Sequence, residues 1–197
     1  MASATPQGPA FYFDLASPEA YLAAERVIAL LPVAAEWIPI SAGGLPAADT
    51  LEGFRCEADR EAFFDRIART AARRGLQPLV WPQPFPSDSA FAMRVATYAK
   101  QIGRTVPFAL AAFRQAFAGG RDLSQPDNVL IAAAACEMHP SAVLKAAGLR
   151  LIADRLDAAT AVATARGVRD VPALWVPGGE VFLGDEALDR AARALAA

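Results

Sequence analysis

The chain has 197 residues, enough for one sizeable core or one core plus a helical subdomain, and too few to favour two independently folding domains. Its 19 basic and 21 acidic residues are interspersed and leave a formal net charge of −2, which offers no basic field for nucleic acid and no polybasic membrane anchor. Residues 1–9 lack an apolar leader segment and no run approaches the roughly twenty apolar residues of a membrane span, so a cytoplasmic protein is expected.

The first predicted element is a strand over 10–15, ending at Asp14-Leu15, and it runs directly into a helix over 18–31. Ser17 is a favoured N-cap, and Pro18 suits the first helical position because its fixed φ fits the turn and its missing N–H would have had no partner. Tyr21, Ala24, Ile28 and Leu31 recur at helical spacing and give this helix a packing face. A hydroxyl at such a helix start is either an ordinary cap or a group presented to an anion, since free N–H groups and the positive dipole end favour carboxylate, phosphate or thiolate. Asp14 is read either as a buried hydrogen-bonded carboxylate or as a turn residue.

A second strand is expected over 34–40, followed by a loop over 41–56 rich in Gly, Ala and Pro. Residues 57–74 read as a helix with Phe63, Phe64, Ile67 and Ala71 on one side and Gly75 just beyond it. A proline-rich stretch from Pro78 to Pro86 crosses the surface in extended form. Helices are expected near 88–102, 106–118, 125–137, 140–147 and 150–166, with Ser124-Gln125-Pro126-Asp127 fitting a capping box. Trp81, Phe85, Phe91 and Met93 either line an aromatic pocket or belong to the core. His139, the sole histidine, stands beside Pro140 at a helix start, where an exposed capping role fits better than general-base chemistry. Cys56 and Cys136 are far apart without metal-ligand spacing and read as free thiols, with no metal site implied. The last segment, 167–186, reads as loop, strand, Gly178-Gly179 turn, second strand and helix start. Pro172, at the head of that strand, lacks a ladder donor and leaves neighbouring backbone groups free.

A strand and Ser-capped helix at one end and a proline-led hairpin plus helix at the other resemble a thioredoxin-like fold split by a long all-helical insertion, an α/β architecture of the DsbA type. The domain reading is 1–40 with 167–197 as the thioredoxin-like unit and 41–166 as a helical lid, the groove between them being the natural ligand site. Phe11-Tyr12-Phe13-Asp14-x-x-Ser17-Pro18-x-x-Tyr21-Leu22 at the start, Gly75-Leu76-Gln77-Pro78-Leu79-Val80-Trp81-Pro82 with Phe85-Pro86 in the middle, and Val171-Pro172 with Gly184-Asp185 at the end are similar to the 2-hydroxychromene-2-carboxylate isomerase family, relatives of kappa-class glutathione transferases and DsbA-like thioredoxins. Redox members of the superfamily place Cys-x-x-Cys where this chain reads Ser17-Pro18-Glu19-Ala20, which excludes disulfide chemistry at that position.

The resemblance implies glutathione or another low-molecular-weight thiol as cofactor, a small aromatic substrate, and a homodimer. Carried over residue by residue, Ser17 meets the thiol as the catalytic group, Val171 before a cis Pro172 pairs with the cysteinyl backbone, and the Gly184-Asp185-Glu186 turn receives the γ-glutamyl end. Asp185 and Glu186 are equally well read as dipole-favoured helix-start residues. The implied reaction is isomerisation of a conjugated aromatic pyruvate, with a kappa-like transferase or a thiol-binding protein without catalysis as alternatives. The chain departs from the family at Ala187, where an arginine is common, at Arg169-Asp170 in place of Phe-Gly, and at Asp88 in place of Asn. Its 41–56 loop has neither the usual Asn nor Lys, Arg55 being the only cation.

Overall fold

A computed structural model describes residues 8–46, 54 and 56–196; Arg55 lies outside the described residues. The sheet has four strands, β1 (Ala10–Phe13), β2 (Glu36–Pro39), β3 (Ala173–Trp175) and β4 (Val181–Leu183), in the order β2-β1-β3-β4. β1 and β2 are parallel, with Phe11 opposite Trp37, and the β1–β3 and β3–β4 pairs are antiparallel, with Phe11 opposite Leu174 and Leu174 opposite Phe182.

The period-two alternation of a strand separates two cores. Phe11, Phe13, Trp37, Leu174 and Phe182 face a large cluster that includes the buried face of α1 (Pro18–Leu30). That cluster continues without a break into α2 (Glu57–Arg73), α3 (Ala90–Gln101), α4 (Thr105–Phe117), α5 (Pro126–Ala134), α6 (Pro140–Ala147) and the C-terminal α8 (Leu188–Ala196). Ala10, Tyr12, Ile38 and Ala173 point to the other face, where Ala163 of α7 (Arg150–Ala165) covers them. Helices α2 to α7 thus all lie between β2 and β3, the helical insertion expected of a DsbA-like α/β fold.

The element boundaries differ from the expected ones mainly at ends. Both early strands are shorter, and the fifth expected helix stops at Ala134 rather than 137 because Glu137 turns to φ 60. The expected capping box at Ser124 does not form. Its N–H and hydroxyl both bond the Asp122 carboxylate, at 2.9 and 2.5 Å, and Gln125 becomes the N-cap of α5 with no side-chain cap bond.

Candidate functional site

The turn between β1 and α1 is built by Asp14. Its carbonyl accepts the Ser17 N–H at 3.1 Å, and its carboxylate accepts the Ala16 N–H at 2.9 Å, the Ala42 N–H at 2.8 Å and the Ser89 hydroxyl at 2.7 Å. The buried, hydrogen-bonded reading of Asp14 is therefore the one the structure supports. Burial pushes its pKa up, against the lowering effect of the three donors. One carboxylate in this way joins the Ser17 turn, the loop leaving β2 and the start of α3.

Ser17 is 2% exposed and caps α1 from an extended backbone conformation. Its Oγ accepts the Ala20 N–H at 3.1 Å, a cap bond of the usual kind. A hydroxyl has one proton, and here it is aimed at the Val171 carbonyl across 3.4 Å, beyond the usual 2.5–3.0 Å for an O–H···O bond. The cap and the donor are therefore separate functions of one side chain, and the donor is weakly used.

The Val171–Pro172 bond is cis. The Val171 carbonyl faces Ser17, while its N–H donates to Asp170 Oδ1 at 2.7 Å. The Pro172 carbonyl accepts the Gly184 N–H at 2.8 Å, which brings the 184–186 turn beside the proline. Gly184 has φ 80, a conformation that a side chain resists. Ser17, Val171, Pro172 and Gly184 thus form one continuous site.

The two acids after Gly184 behave differently. Asp185 is buried and engaged by Arg74 through Nη1 and Nη2, with Arg26 Nη1 at 4.0 Å. Glu186 is exposed. Arg74 also donates to the Leu22 carbonyl of α1 at 3.3 Å. Neither arginine stands out in the sequence, because Arg74 and Asp185 are 111 residues apart and no local spacing joins them.

The aromatic residues divide. Met93 is buried core, and Phe91 packs partly buried against it. Trp81 and Phe85 are half-buried and join Phe64, with Phe64 and Trp81 stacked at 4.0 Å and Trp81 and Phe85 edge to face at 5.1 Å. Phe85 also borders a cavity of about 10 Å³, room for one water, lined by Ala16, Pro82, Ser89 and Phe117. Arg66 ties this cluster to the start of α1, lying over Phe63 at 5.2 Å and bonding Glu19 at 2.6 Å.

The remaining candidates lie elsewhere. His139 is exposed at the N-cap position of α6, where it makes no side-chain cap bond, and its Nδ1 is 2.9 Å from the Ser141 hydroxyl. Cys56 is exposed and Cys136 buried, both free. Among the described residues no group of His, Cys, Asp or Glu is arranged to hold a metal, and no helix is long and apolar enough to cross a membrane. The weakly used Ser17 proton, at the positive end of the α1 dipole, is the donor this helix start keeps for an anion such as a thiolate, since Pro18 has no N–H and the Ala20 and Tyr21 N–H groups are bonded to Ser17.

The comparisons with known proteins agree with this architecture. A 2-hydroxychromene-2-carboxylate isomerase structure superposes with a TM-score of 0.84 at 21% identity, covering 95% of this chain and 94% of that one. A protein described as a probable DsbA oxidoreductase from Streptomyces coelicolor gives 0.76 at 18% identity, covering 95% and 87%. A DsbA variant from Pseudomonas aeruginosa gives 0.60 at 15% identity, covering 99% and 89%. No curated protein matches the chain. At these identities the superpositions establish the fold, and the family follows from the DSBA-like thioredoxin domain pattern, which matches residues 10–196: the chain belongs to that family.

Proposed function

We propose that this protein is a thiol-dependent isomerase of the 2-hydroxychromene-2-carboxylate type, with glutathione as its thiol and a conjugated aromatic pyruvate as its substrate. The observation that carries the reading is the Ser17 hydroxyl: its acceptor side is committed to the cap, and its proton is aimed across a long 3.4 Å contact beside a cis proline. When bound, the thiol supplies a nucleophile that adds reversibly to the substrate double bond, leaves a rotatable single bond, and departs with the electron pair of the C–S bond.

The chain's own residues supply the rest. Ser17 turns its proton from the Val171 carbonyl to the sulfur and, with the positive end of the α1 dipole, holds it as thiolate. The Val171 carbonyl accepts a backbone N–H of the cofactor, and its N–H becomes available as a donor once Asp170 gives way. Trp81 and Phe85 offer half-buried apolar surface to an aromatic substrate, with Phe64 stacked behind Trp81, and α2, held down by the Glu19–Arg66 pair, excludes water from that side. A cytoplasmic location belongs to the same reading, because the glutathione pool is kept reduced there.

The test is isomerisation followed with and without glutathione, with the free thiol titrated afterwards. The reading expects turnover only when thiol is present and complete recovery of the thiol. One thiol consumed per turnover would make the protein a kappa-like transferase, and binding without turnover would make it a thiol-binding protein.

A further inference from the structure

The geometry points to Ser89 as a specificity-determining residue: in the small cavity beside Ala16 it accepts a hydrogen bond from a hydroxyl group on the substrate's aromatic ring. This rests on the aromatic-substrate reading above and names what that ring carries. The cavity holds about 10 Å³, room for one water or one hydroxyl group and too little for a methoxy group. Its walls include Leu15, Ala16, Phe85, Ser87, Ser89 and Phe117. Ala16 immediately precedes Ser17, and Phe85 meets Trp81 edge to face at 5.1 Å. One wall therefore belongs to the turn that presents Ser17 and another to the half-buried surface offered to an aromatic ring.

The argument for an acceptor site is an account of protons. A hydroxyl has one proton and two lone pairs. Ser89 stands at the N-cap position of α3 yet makes no side-chain cap bond, and its hydroxyl donates instead to the buried Asp14 carboxylate at 2.7 Å. The Ser87 hydroxyl donates to the Pro84 carbonyl at 2.9 Å, with the Asp122 carboxylate as a second acceptor. The Leu15 N–H goes to Met93 Sδ at 3.3 Å, and the Ala16 N–H to Asp14 Oδ1 at 2.9 Å. Asp14, Pro84, Met93 and Asp122 all lie outside the cavity wall, so these four protons are turned away from the space they border. What the two serines keep for an occupant is lone pairs. Ser89 is the stronger acceptor of the two, because donation to a buried carboxylate fixes its proton and polarises its oxygen toward accepting. A ring hydroxyl supplies the one proton this arrangement lacks. An ether oxygen brings only further lone pairs, and an unsubstituted ring edge brings no partner.

Calorimetric titration of the full chain, without thiol so that no adduct forms, tests this with a set of benzylidenepyruvates: the unsubstituted ring, the ortho, meta and para hydroxyl isomers, and the methoxy counterpart of the isomer that binds most tightly. The wild type is expected to bind at least one hydroxyl isomer roughly 2- to 12-fold more tightly than the unsubstituted ring, the value of one net hydrogen bond, and to bind the methoxy form more weakly than that isomer. Ser89→Ala is expected to remove the preference and Ser87→Ala to keep most of it. The preference is a ratio within one protein, so a change in the variant's stability does not move it. Equal binding of all the probes by the wild type, or a wild-type preference retained in Ser89→Ala, would overturn the assignment and leave the isomerase reading standing. A hydroxyl preference in a protein with no thiol-dependent turnover would support the assignment and overturn the isomerase reading. Absence of binding by every probe would overturn both.

Discussion

Removing the Ser17 hydroxyl separates capping from catalysis, because two substitutions delete the same proton with different costs to the helix. In Ser17→Ala the Ala20 N–H, bonded to Oγ at 3.1 Å, loses its partner, and an N-cap Ser→Ala change costs about 1 kcal/mol. In a chain of this size that lowers Tm by roughly 2–4 °C. Ser17→Gly costs only a few tenths of a kcal/mol at the same position, since glycine is tolerated as a cap. The donor role is lost equally in both. A hydrogen bond to a charged group is worth roughly 1.5–3 kcal/mol, so thiol-dependent turnover is expected to fall by about one to two orders of magnitude in each variant. Thermal melts and steady-state kinetics on the three proteins measure the two effects independently. Turnover that tracks Tm, falling in Ser17→Ala and surviving in Ser17→Gly, would refute the donor role and leave Ser17 an ordinary cap.

Other expectations follow from the same geometry. Asp170→Ala frees the Val171 N–H from its 2.7 Å side-chain bond, so KM for the thiol is expected to fall by roughly 2- to 12-fold, the value of one net hydrogen bond, in steady-state kinetics. Asp185→Asn leaves Arg74 without its bidentate partner and is expected to destabilise the fold by about 3 kcal/mol in chemical unfolding, whereas exposed Glu186→Gln changes stability by no more than about 0.5 kcal/mol. Asp14 has a raised folded-state pKa, so its contribution to stability is greatest below the ordinary carboxylate value and is lost as pH rises through the folded value. The stability gap between wild type and Asp14→Asn is therefore expected to narrow as pH rises above about 4 in unfolding curves taken across that range. Asp189 has the opposite sign: its bond to Arg26 lowers its pKa, so the stability it adds is lost as pH falls below about 4, and Asp189→Asn is expected to flatten that acid limb.

The parts of this molecule that were legible in the sequence are those set by neighbours in the chain. Ser17-Pro18 starts a helix because cap and first-turn preferences act over a few residues, and the structure shows that start where expected. The cis Val171–Pro172 bond and the fold itself came from family resemblance, which joins both ends of the chain at once. The capping box at Ser124 failed because a nearer acceptor, Asp122, competes for the same N–H and hydroxyl, a choice that local spacing leaves open. Asp170 was noted as a departure, yet its bond to the next N–H depends on the loop conformation around the proline. The Arg74–Asp185 pair was illegible for a different reason. It joins the end of α2 to the start of the C-terminal helical turn, and only the packing of the insertion against α1 brings those ends together.

The central claim is that this site holds a thiol as its thiolate, and ultraviolet titration of the saturated complex measures that directly, with S-methylglutathione as the blank. A free thiol ionises near 8.5, and two sources of stabilisation at Ser17 and the α1 N-terminus predict a bound value lower by about one to two units, which puts the thiol–thiolate midpoint between about 6.5 and 7.5. A bound thiol that ionises at the same pH as free glutathione would contradict the account.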